Sequence, residues 1–312
     1  MLWRTSTAVL VFAALVVSYP SIAPANELFW TDFNTHSIHG ASFSDYVPHT
    51  LVQDTDNTYR IALDQANEKM YWTIYGHVRR ANLDGTEVET VINTPGDMPL
   101  GVAVDSAHSR LYWTESNHAY RANLDGTGIE ELGLSGSIFQ DLTLDLENGH
   151  IYVSDWAGNP NYPGRILQAN LDGSSVTTVL SDISRGPVGI GADPVGGKVY
   201  WANFSFDPYV GGVQRVNMDG TGVEDLVTGH SADALTLDLT DQQVYWTGLS
   251  PDGTSGAIWR AGLDGSAIEA LPIPTINPAG VALIPEPSSL TLLVCATISL
   301  LARHRRVRLP NR

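Results

Sequence analysis

The sequence predicts an all-β protein, a six-bladed β-propeller whose blades are four-stranded antiparallel sheets. Three observations lead to this prediction. The chain repeats itself about every 40 residues, each repeat carries its markers in the same order, and a marker missing at the start of the array reappears at its end. Arrays of short strands with such a period are typical of propellers.

An aromatic strand is the clearest marker, because it occurs six times. Counted from Trp30, the register advances by 42, 41, 40, 48 and 45 residues. Large aromatic side chains at one register suit the wedge between packed sheets, so we interpret the Tyr and Trp of these strands as core residues. The six copies are 28–32, 70–73, 111–115, 151–155, 199–203 and 244–247.

A second marker, a short apolar run that ends in Asp, precedes five of the aromatic strands. The five runs are 61–64, 102–105, 142–145, 190–193 and 235–238. The first aromatic strand has no such run before it, but residues 281–284 supply one after the last repeat. We therefore predict that 281–284 is the innermost strand of blade 1, which closes the ring and removes its open edge.

A third marker, Asp-Gly between two strand-like runs, predicts a hairpin because glycine accepts positive φ. Each repeat is thus four strands, a to d from the axis outward. Blade 1 lacks the turn and has Ile38-His39-Gly40-Ala41 in its place. The turns are Asp84-Gly85, Asp125-Gly126, Asp172-Gly173, Asp219-Gly220 and Asp264-Gly265.

The aromatic strands with their Leu-Asp-Gly turns resemble the low-density lipoprotein receptor class B repeat, also called the YWTD repeat. The resemblance covers roughly residues 26–284 and implies a six-bladed propeller, the number of blades that the repeats give independently. Only the first copy keeps the complete Trp-Thr-Asp, and Val153 replaces the tryptophan in blade 4. No ligand residue can be matched from the repeat motif, so the resemblance implies the fold but not lipoprotein or signalling-ligand binding.

Composition and charge limit the classes of function. Charged residues are 16% of the chain, with 29 glycines and 17 prolines, which suits short strands joined by turns. Residues 26–287 include 11 basic and 34 acidic residues, a formal charge of 11 minus 34, or −23, which argues against a nucleic-acid partner. This segment has no cysteine, since Cys295 lies beyond it, so disulfides and thiolate chemistry are excluded there.

The N-terminus predicts a signal peptide over residues 1–25. Arg4 precedes an apolar run at 8–17, and Ala23-Pro24-Ala25 forms a small-residue cleavage site. Cleavage after Ala25 would make Asn26 the first residue. The alternative is an uncleaved anchor helix, for which the apolar run is short.

The C-terminus combines Pro285-Glu286-Pro287, an apolar run at 290–302 and an arginine cluster at 303–306. Thirteen helical residues span about 20 Å against about 30 Å of hydrocarbon, so the run is marginal as a permanent anchor. The three parts in this order resemble the PEP-CTERM sorting signal of Gram-negative bacteria. The resemblance implies recognition of 285–287 by an exosortase-type protease, transient inner-membrane association through 290–302, and delivery to the cell surface or an extracellular matrix. The alternative is an ordinary tail anchor.

The repeated polar residues favour structural roles. We interpret the strand-a aspartates and strand-c arginines as turn caps or inter-blade ion pairs. His77 and His118 each fall five residues after a strand-b tryptophan, but equivalent positions on adjacent blades lie roughly 10 Å apart, so we interpret both as polar turn residues and not as zinc ligands. No cofactor is predicted, and a structural calcium site at 54–57 has no motif support.

The non-repeating segments carry the predicted binding site. Strands alternate in direction, so the b–c and d–a loops emerge on one face, where the b–c loops are short in blades 2 and 3 and long in blades 4 to 6. Long loops on a rigid scaffold commonly carry binding function, and aromatic rings beside polar groups suit a polysaccharide or an extended peptide. The alternative is that these aromatics fold inward over the propeller end. The predicted ligand-binding residues are Trp156, Asn159, Tyr162, Phe204, Phe206, Asp207 and Tyr209.

The leading hypothesis is an exported, non-enzymatic surface or matrix protein that binds a polysaccharide or protein ligand through the face of blades 4 to 6. The alternative is a secreted hydrolase or lactonase with a metal on the axis. The axial positions offer few ligands, because they are Arg60, Gly101, Asp141, Gly189, Ala234 and Gly280, with Asp233 adjacent. A third hypothesis is a structural matrix component without a discrete ligand.

Overall fold

The computed structural model describes residues 27–156, 163–183, 186–205, 211–250 and 252–285. It confirms the predicted architecture, since the described strands form six four-stranded antiparallel sheets. The described residues also include a single-turn 3₁₀ helix at Gln65–Asn67, and they contain no helix that is long and apolar enough to cross a membrane.

The strands follow the chain from blade to blade. Blade 1 contains β1 (Glu27–Asp32), β2 (Ser37–Ser42) and β3 (His49–Gln53). Blade 2 contains β4 (Thr58–Asp64), β5 (Lys69–Ile74), β6 (His77–Asn82) and β7 (Glu89–Asn93), and blade 3 contains β8 (Pro99–Asp105), β9 (Arg110–Glu115), β10 (His118–Asn123) and β11 (Glu130–Leu132). Blade 4 contains β12 (Phe139–Asp145), β13 (His150–Asp155), β14 (Gly164–Asn170) and β15 (Thr177–Ile183). Blade 5 contains β16 (Pro187–Asp193), β17 (Lys198–Asn203), β18 (Gly212–Asn217) and β19 (Glu224–Thr228). Blade 6 contains β20 (Leu235–Asp238), β21 (Gln243–Leu249), β22 (Gly256–Gly262) and β23 (Glu269–Ala270), and β24 (Pro278–Ile284) completes blade 1.

The ring closes as the sequence predicts. Strand β24 pairs antiparallel with β1, with Leu283 opposite Leu28 and Val281 opposite Trp30. The strand starts three residues earlier than the predicted 281–284, and all seven of its residues are buried. The inner strand of blade 1 therefore comes from the other end of the propeller sequence.

The strand-a aspartates cap the turns between strands a and b. In each of blades 2 to 6 the carboxylate accepts a hydrogen bond from a backbone N–H two or three residues further on, at 2.8–3.2 Å. In blade 1, Ile284 takes this position opposite Glu27. Strands a and b of blade 1 come from opposite ends of the propeller, so no turn joins them and no cap is needed. The capping residues are Asp64, Asp105, Asp145, Asp193 and Asp238.

The strand-c arginines link neighbouring blades. Arg80 forms an ion pair with Glu89 of its own strand d at 2.7 Å, and its Nη1 donates to the carbonyl oxygen of Leu124 in blade 3 at 2.7 Å. Arg121 and Arg215 repeat both contacts. Blade 4 replaces both charges together, because Gln168 stands opposite Thr177 in the same register.

The Asp-Gly turns pack closely on the preceding blade. Gly85 has φ +84°, and a Cβ at this position would lie 2.1 Å from the carbonyl oxygen of Leu51 in blade 1. The prediction for blade 1 itself was wrong in register. Residues 38–41 lie inside β2, because Gly40 pairs with Phe29 as Arg80 pairs with Tyr71, so Phe43-Ser44-Asp45 stands where the other blades have Leu-Asp-Gly.

The strand-b tryptophans are buried, as predicted for core residues. The structure adds that the residue opposite each of them on strand c often covers the indole with a flat group. His39 stacks on Trp30 with ring centroids 5.3 Å apart, and Tyr120 stacks on Trp113 at 5.4 Å. The guanidinium of Arg79 lies 5.9 Å from the Trp72 ring, so an arginine can take the place of the aromatic ring.

Removal of β24 should abolish cooperative folding. Burial of Val281, Leu283 and Ile284 contributes roughly 5–9 kcal/mol, comparable with the whole stability of a domain. We expect a chain truncated after Asn277 to show no cooperative thermal transition by circular dichroism. A chain truncated after Pro285 keeps the strand and should melt at the temperature of the full chain; a cooperative transition in the shorter variant would contradict closure by β24.

Candidate functional site

The inner strands of blades 1 to 5 begin with a β-bulge that directs side chains toward the axis. In blade 2 the register shifts between Thr58 and Ile61, and the N–H of Arg60 donates to Thr73 Oγ1 at 3.1 Å. Thr73 Oγ1 in turn donates to the carbonyl oxygen of Leu100 in blade 3 at 2.7 Å. A strand-b hydroxyl thus positions the axial residue and joins the next blade; the same pattern occurs at Asp141 with Ser154 and at Gly280 with Thr31.

Arg60 reaches across the axis to three other blades. Its Nη2 donates to Asp233 Oδ1, just before β20, at 2.8 Å. Its Nε lies 3.3 Å from Asp141 Oδ2 in blade 4, and its Nη1 donates to the carbonyl oxygen of Ala279 on β24. The arginine is only 8% exposed. The sequence places these charged residues at the mouth of the channel, and the structure shows that they form one group, the axial cluster Arg60–Asp141–Asp233. Arg60 and Asp141 are buried and Asp233 is half-buried.

The axial cluster has one cation and two carboxylates. Burial raises the pKa of Asp141 to about 6, although the positive charge of Arg60 acts in the opposite direction. Burial alone would lower the pKa of Arg60, but the charges of Asp233 and Asp141 outweigh it and raise that pKa. The cluster therefore keeps its arginine charged and takes up a proton on Asp141 under mildly acidic conditions.

The axial positions offer poor support for a metal. Arg60 lies between the two carboxylates that would have to be ligands. At Gly101, Gly189 and Gly280 a Cβ would fall 2.5–2.7 Å from the backbone of the next blade, so these glycines allow close approach of neighbouring strands. Within the described part of the chain, no three His, Cys, Asp or Glu side chains are grouped to hold a metal. His77 and His118 are the first residues of β6 and β10 and are not brought together as metal ligands. His118 Nδ1 lies 2.7 Å from Glu131 Oε1.

A channel of about 290 Å³ follows the axis beyond the cluster. Arg60 and Asp141 line it where the inner strands start, and Gln65 and Leu239 line it just after the strands end. The intervening walls come from the inner strands of the blades, for example Ala62 of β4. The axial cluster thus separates this channel from the face that carries the long loops.

Trp156 lies on that face, and its indole packs against the backbone of a glycine. It follows β13 directly, and its N–H donates to the carbonyl oxygen of Ile138 at 2.8 Å. Its indole occupies the space where a side chain of residue 186 would be, since a Cβ at Gly186 would lie 1.4 Å from Trp156 Cδ1. The tryptophan is nevertheless 40% exposed. The ring is therefore fixed against the backbone before blade 5 and still accessible to a ligand.

The ends of the long loops in blades 5 and 6 are also hydrogen-bonded to the segment that leads into the following blade. Phe204, which is 37% exposed, comes directly after β17. The N–H of the next residue, Ser205, donates to Ser231 Oγ at 3.1 Å, and Ser231 Oγ donates to the carbonyl oxygen of Ser205 at 2.6 Å. In blade 6 the N–H of Gly256 donates to the carbonyl oxygen of Ile276 at 2.8 Å. Each described loop end is thus anchored to its neighbour.

Two of the seven predicted ligand-binding residues, Trp156 and Phe204, are described, and both are exposed on the predicted face. Pro285 of the predicted sorting motif is half-buried directly after β24. The other predicted residues lie outside the described part of the chain; they are Asn159, Tyr162, Phe206, Asp207, Tyr209, Glu286 and Pro287.

No sequence motif indicates a second group of carboxylates on this face. Asp97 belongs to the loop before β8, and Glu115 ends β9. Burial raises the pKa of Glu115; a hydrogen bond from Trp113 lowers it, and the hydrogen bond and charge of Asp97 raise it again. Asp97 lies beside Glu115 because Pro99, two residues after Asp97, pairs with Glu115 in blade 3.

Solved structures share this fold. A chain in the crystal structure of a nidogen/laminin complex matches with a TM-score of 0.70 at 19% identity, over 84% of this chain and 99% of that chain. TolB from Acinetobacter baumannii matches with a TM-score of 0.68 at 13% identity, over 86% of this chain and 68% of that chain. A gluconolactonase from Xanthomonas campestris matches with a TM-score of 0.59 at 19% identity, over 71% of this chain and 79% of that chain. The sequence matches no protein-family profile, and no curated protein matches it. At these identities the similarity shows the propeller fold alone.

The axial cluster predicts a pH-dependent effect of Asp141→Asn. Because the pKa of Asp141 is raised to about 6, the folded protein keeps a proton that the unfolded chain has lost above about pH 4. Wild type should therefore lose stability relative to D141N as pH rises from 4 to 6, by up to about 3 kcal/mol. Urea unfolding of both proteins at several pH values measures the difference, and a difference that does not change with pH would contradict this description of the cluster.

Proposed function

We propose that this protein is an exported, non-catalytic binding scaffold whose loop face contacts a polysaccharide. The observation that carries the proposal is Trp156, an exposed indole held in place over Gly186. A rigid aromatic side chain loses little entropy on binding and offers a large contact area, which is typical of residues that dominate binding energy. Phe204 occupies the equivalent position in the next blade, directly after strand b.

A catalytic role has less support from the same face. Both carboxylates of the axial cluster are paired with Arg60. The glycines at three other axial positions provide no ligating side chain. The fold is shared with a gluconolactonase, but also with a chain of a nidogen/laminin complex, so it does not decide between binding and hydrolysis.

Export and sorting are part of the proposal and rest on the two ends of the sequence. We propose cleavage of residues 1–25 and recognition of Pro285-Glu286-Pro287 by an exosortase-type protease, followed by transfer to the cell surface or extracellular matrix. Strand β24 ends directly before this motif, so cleavage after β24 would leave the ring closed. Mass spectrometry of the exported protein tests this, and an intact Arg312 would contradict it.

Substitution of Trp156 should weaken binding to extracellular polysaccharide. We expect Trp156→Ala and Phe204→Ala each to reduce affinity about tenfold, the effect of losing roughly 1.4 kcal/mol at an aromatic contact. Calorimetric titration of the purified propeller with polysaccharide fractions from the producing cells measures the affinity of each variant.

The matched control is Tyr75→Ala, since Tyr75 is 50% exposed in the short b–c turn of blade 2. It should leave affinity unchanged. Equal affinity of wild type and W156A would reject the face of blades 4 to 6 as the binding site. Stoichiometric metal in the purified protein, together with turnover of a lactone, would support the enzymatic alternative instead.

A further inference from the structure

The face opposite the long loops presents exposed aliphatic side chains close to the axis. Val195, in the a–b turn of blade 5, is 86% exposed, the most exposed large apolar side chain in the described part of the protein. Its turn, residues 194–197, contains no charged residue. Leu146, in the a–b turn of blade 4, is 46% exposed, and Leu239 has the equivalent position in blade 6, where it is half-buried. The a–b turns of three consecutive blades thus place apolar side chains on one side of the axis.

The propeller is tethered from this same face. Ile284, the last residue of the innermost strand β24, lies opposite Glu27, the first residue of β1. Only residues 285–289 separate β24 from the apolar run at 290–302. Five residues span at most about 18 Å, and the headgroup region on one side of a bilayer is roughly 6 Å thick. A bilayer that holds residues 290–302 therefore has its surface within roughly 12 Å of this face.

We infer that the a–b turns of blades 4 and 5 lie on the surface of a lipid bilayer while residues 290–302 hold the protein there, with Val195 and Leu146 among the headgroups. The inference rests on the sorting step of the proposed function and adds the surface that contacts the lipid. An uncleaved N-terminal anchor would present the same face, because Glu27 also lies there. In either case Trp156, on the opposite face, points away from the membrane toward extracellular polysaccharide.

The short tether makes a weak contact sufficient. Complete burial of one Val or Leu side chain contributes roughly 1.5–3 kcal/mol, and even a myristoyl chain alone gives only marginal membrane binding. Two side chains alone would therefore not recruit the propeller to a membrane. A short linker to an inserted segment brings the face to an effective concentration in the millimolar range at the bilayer. Val195 and Leu146 then need only determine which part of the face touches the lipid.

The outer rim of the same face is acidic, which limits the contact and selects the lipid. Hydrogen bonds from Thr86 lower the pKa of Asp84, and a serine or threonine does the same at the Asp-Gly turns of blades 3 to 6. These aspartates stay ionised and are repelled by anionic headgroups. Val88 is also exposed, but it lies between Glu87 and Glu89 on this rim. We therefore expect contact near the axis, and with zwitterionic rather than anionic lipid.

The test places one fluorescent label on either face of the full chain reconstituted in phosphatidylcholine vesicles. Cys295→Ser removes the only cysteine, and Val195→Cys then provides a single site for a bimane label. The matched control is Tyr75→Cys, because Tyr75 is 50% exposed on the loop face. A lipid with a nitroxide on its headgroup quenches labels that touch the surface. We expect several-fold stronger quenching at position 195 than at position 75.

A second pair of variants tests whether the aliphatic side chains hold the face on the lipid. The label is placed by Thr240→Cys, in the a–b turn of blade 6, where Thr240 is exposed. Val195→Asp should reduce its quenching several-fold, whereas Val88→Asp, the matched control on the acidic rim, should leave quenching unchanged. Adding phosphatidylglycerol to the vesicles should reduce quenching at low ionic strength, and high salt should restore it.

The outcomes distinguish this inference from the proposed function. Equal quenching at positions 195 and 75, or no effect of V195D, in vesicles that retain the protein would overturn the inference and leave the proposed sorting step intact. A full chain that the vesicles do not retain would overturn both the inference and membrane association through residues 290–302. Polysaccharide binding by the soluble propeller, measured with W156A, is independent of either result.

Discussion

Pairing of β1 with β24 closes the ring, and the other contacts between blades rely on this closure. The inner strand of blade 1 comes from the other end of the propeller, which leaves no open edge in the ring, and this strand is buried along its whole length. The pairing also determines on which face of the propeller its two chain ends lie. Ile284 lies opposite Glu27, so both ends of the propeller leave on the face of the a–b turns. The face that carries Trp156 is the opposite one.

The axial cluster adds a second connection across the same ring. A buried ion pair contributes little net stability when its desolvation is counted, but loss of one partner is costly. Arg60 contacts blades 1, 4 and 6 from blade 2, so its burial joins elements that are distant along the chain. The strand-b hydroxyls and strand-c arginines connect only adjacent blades. Axial and nearest-neighbour contacts together hold rigid the scaffold on which the long loops rest.

Much of the fold could be predicted from the sequence because the repeat makes it redundant. Six aromatic strands gave the number of blades, and the displaced run at 281–284 gave the closing strand. The cap formed by Asp64 and its equivalents was one of two interpretations, and the structure decides for it because Ile284 replaces the aspartate where no turn exists. Blade 1 was misjudged at residues 38–41, since its turn has no Asp-Gly to fix the register.

The candidate site was less predictable for a physical reason. Residues 60, 141 and 233 could each be placed at the axis, but which side chains meet there depends on the bulges of blades 2 and 4 and on the rotamers of the three side chains. The position of Trp156 over Gly186 likewise depends on a contact between two loops, and a lone glycine in a loop gave no signal for it. The strands could be predicted because their markers recur in each repeat, and the long loops have no such recurring markers.

The proposed function places the binding surface on the loop face of blades 4 to 6. Hydrogen–deuterium exchange with and without a bound oligosaccharide tests it most directly, because it reports on both faces in one experiment. We expect slower exchange after β13 and β17 and in the segment around Gly186, with the Asp-Gly turns of the opposite face unchanged. Protection of the Asp-Gly turns, with none around Trp156 and Phe204, would contradict it.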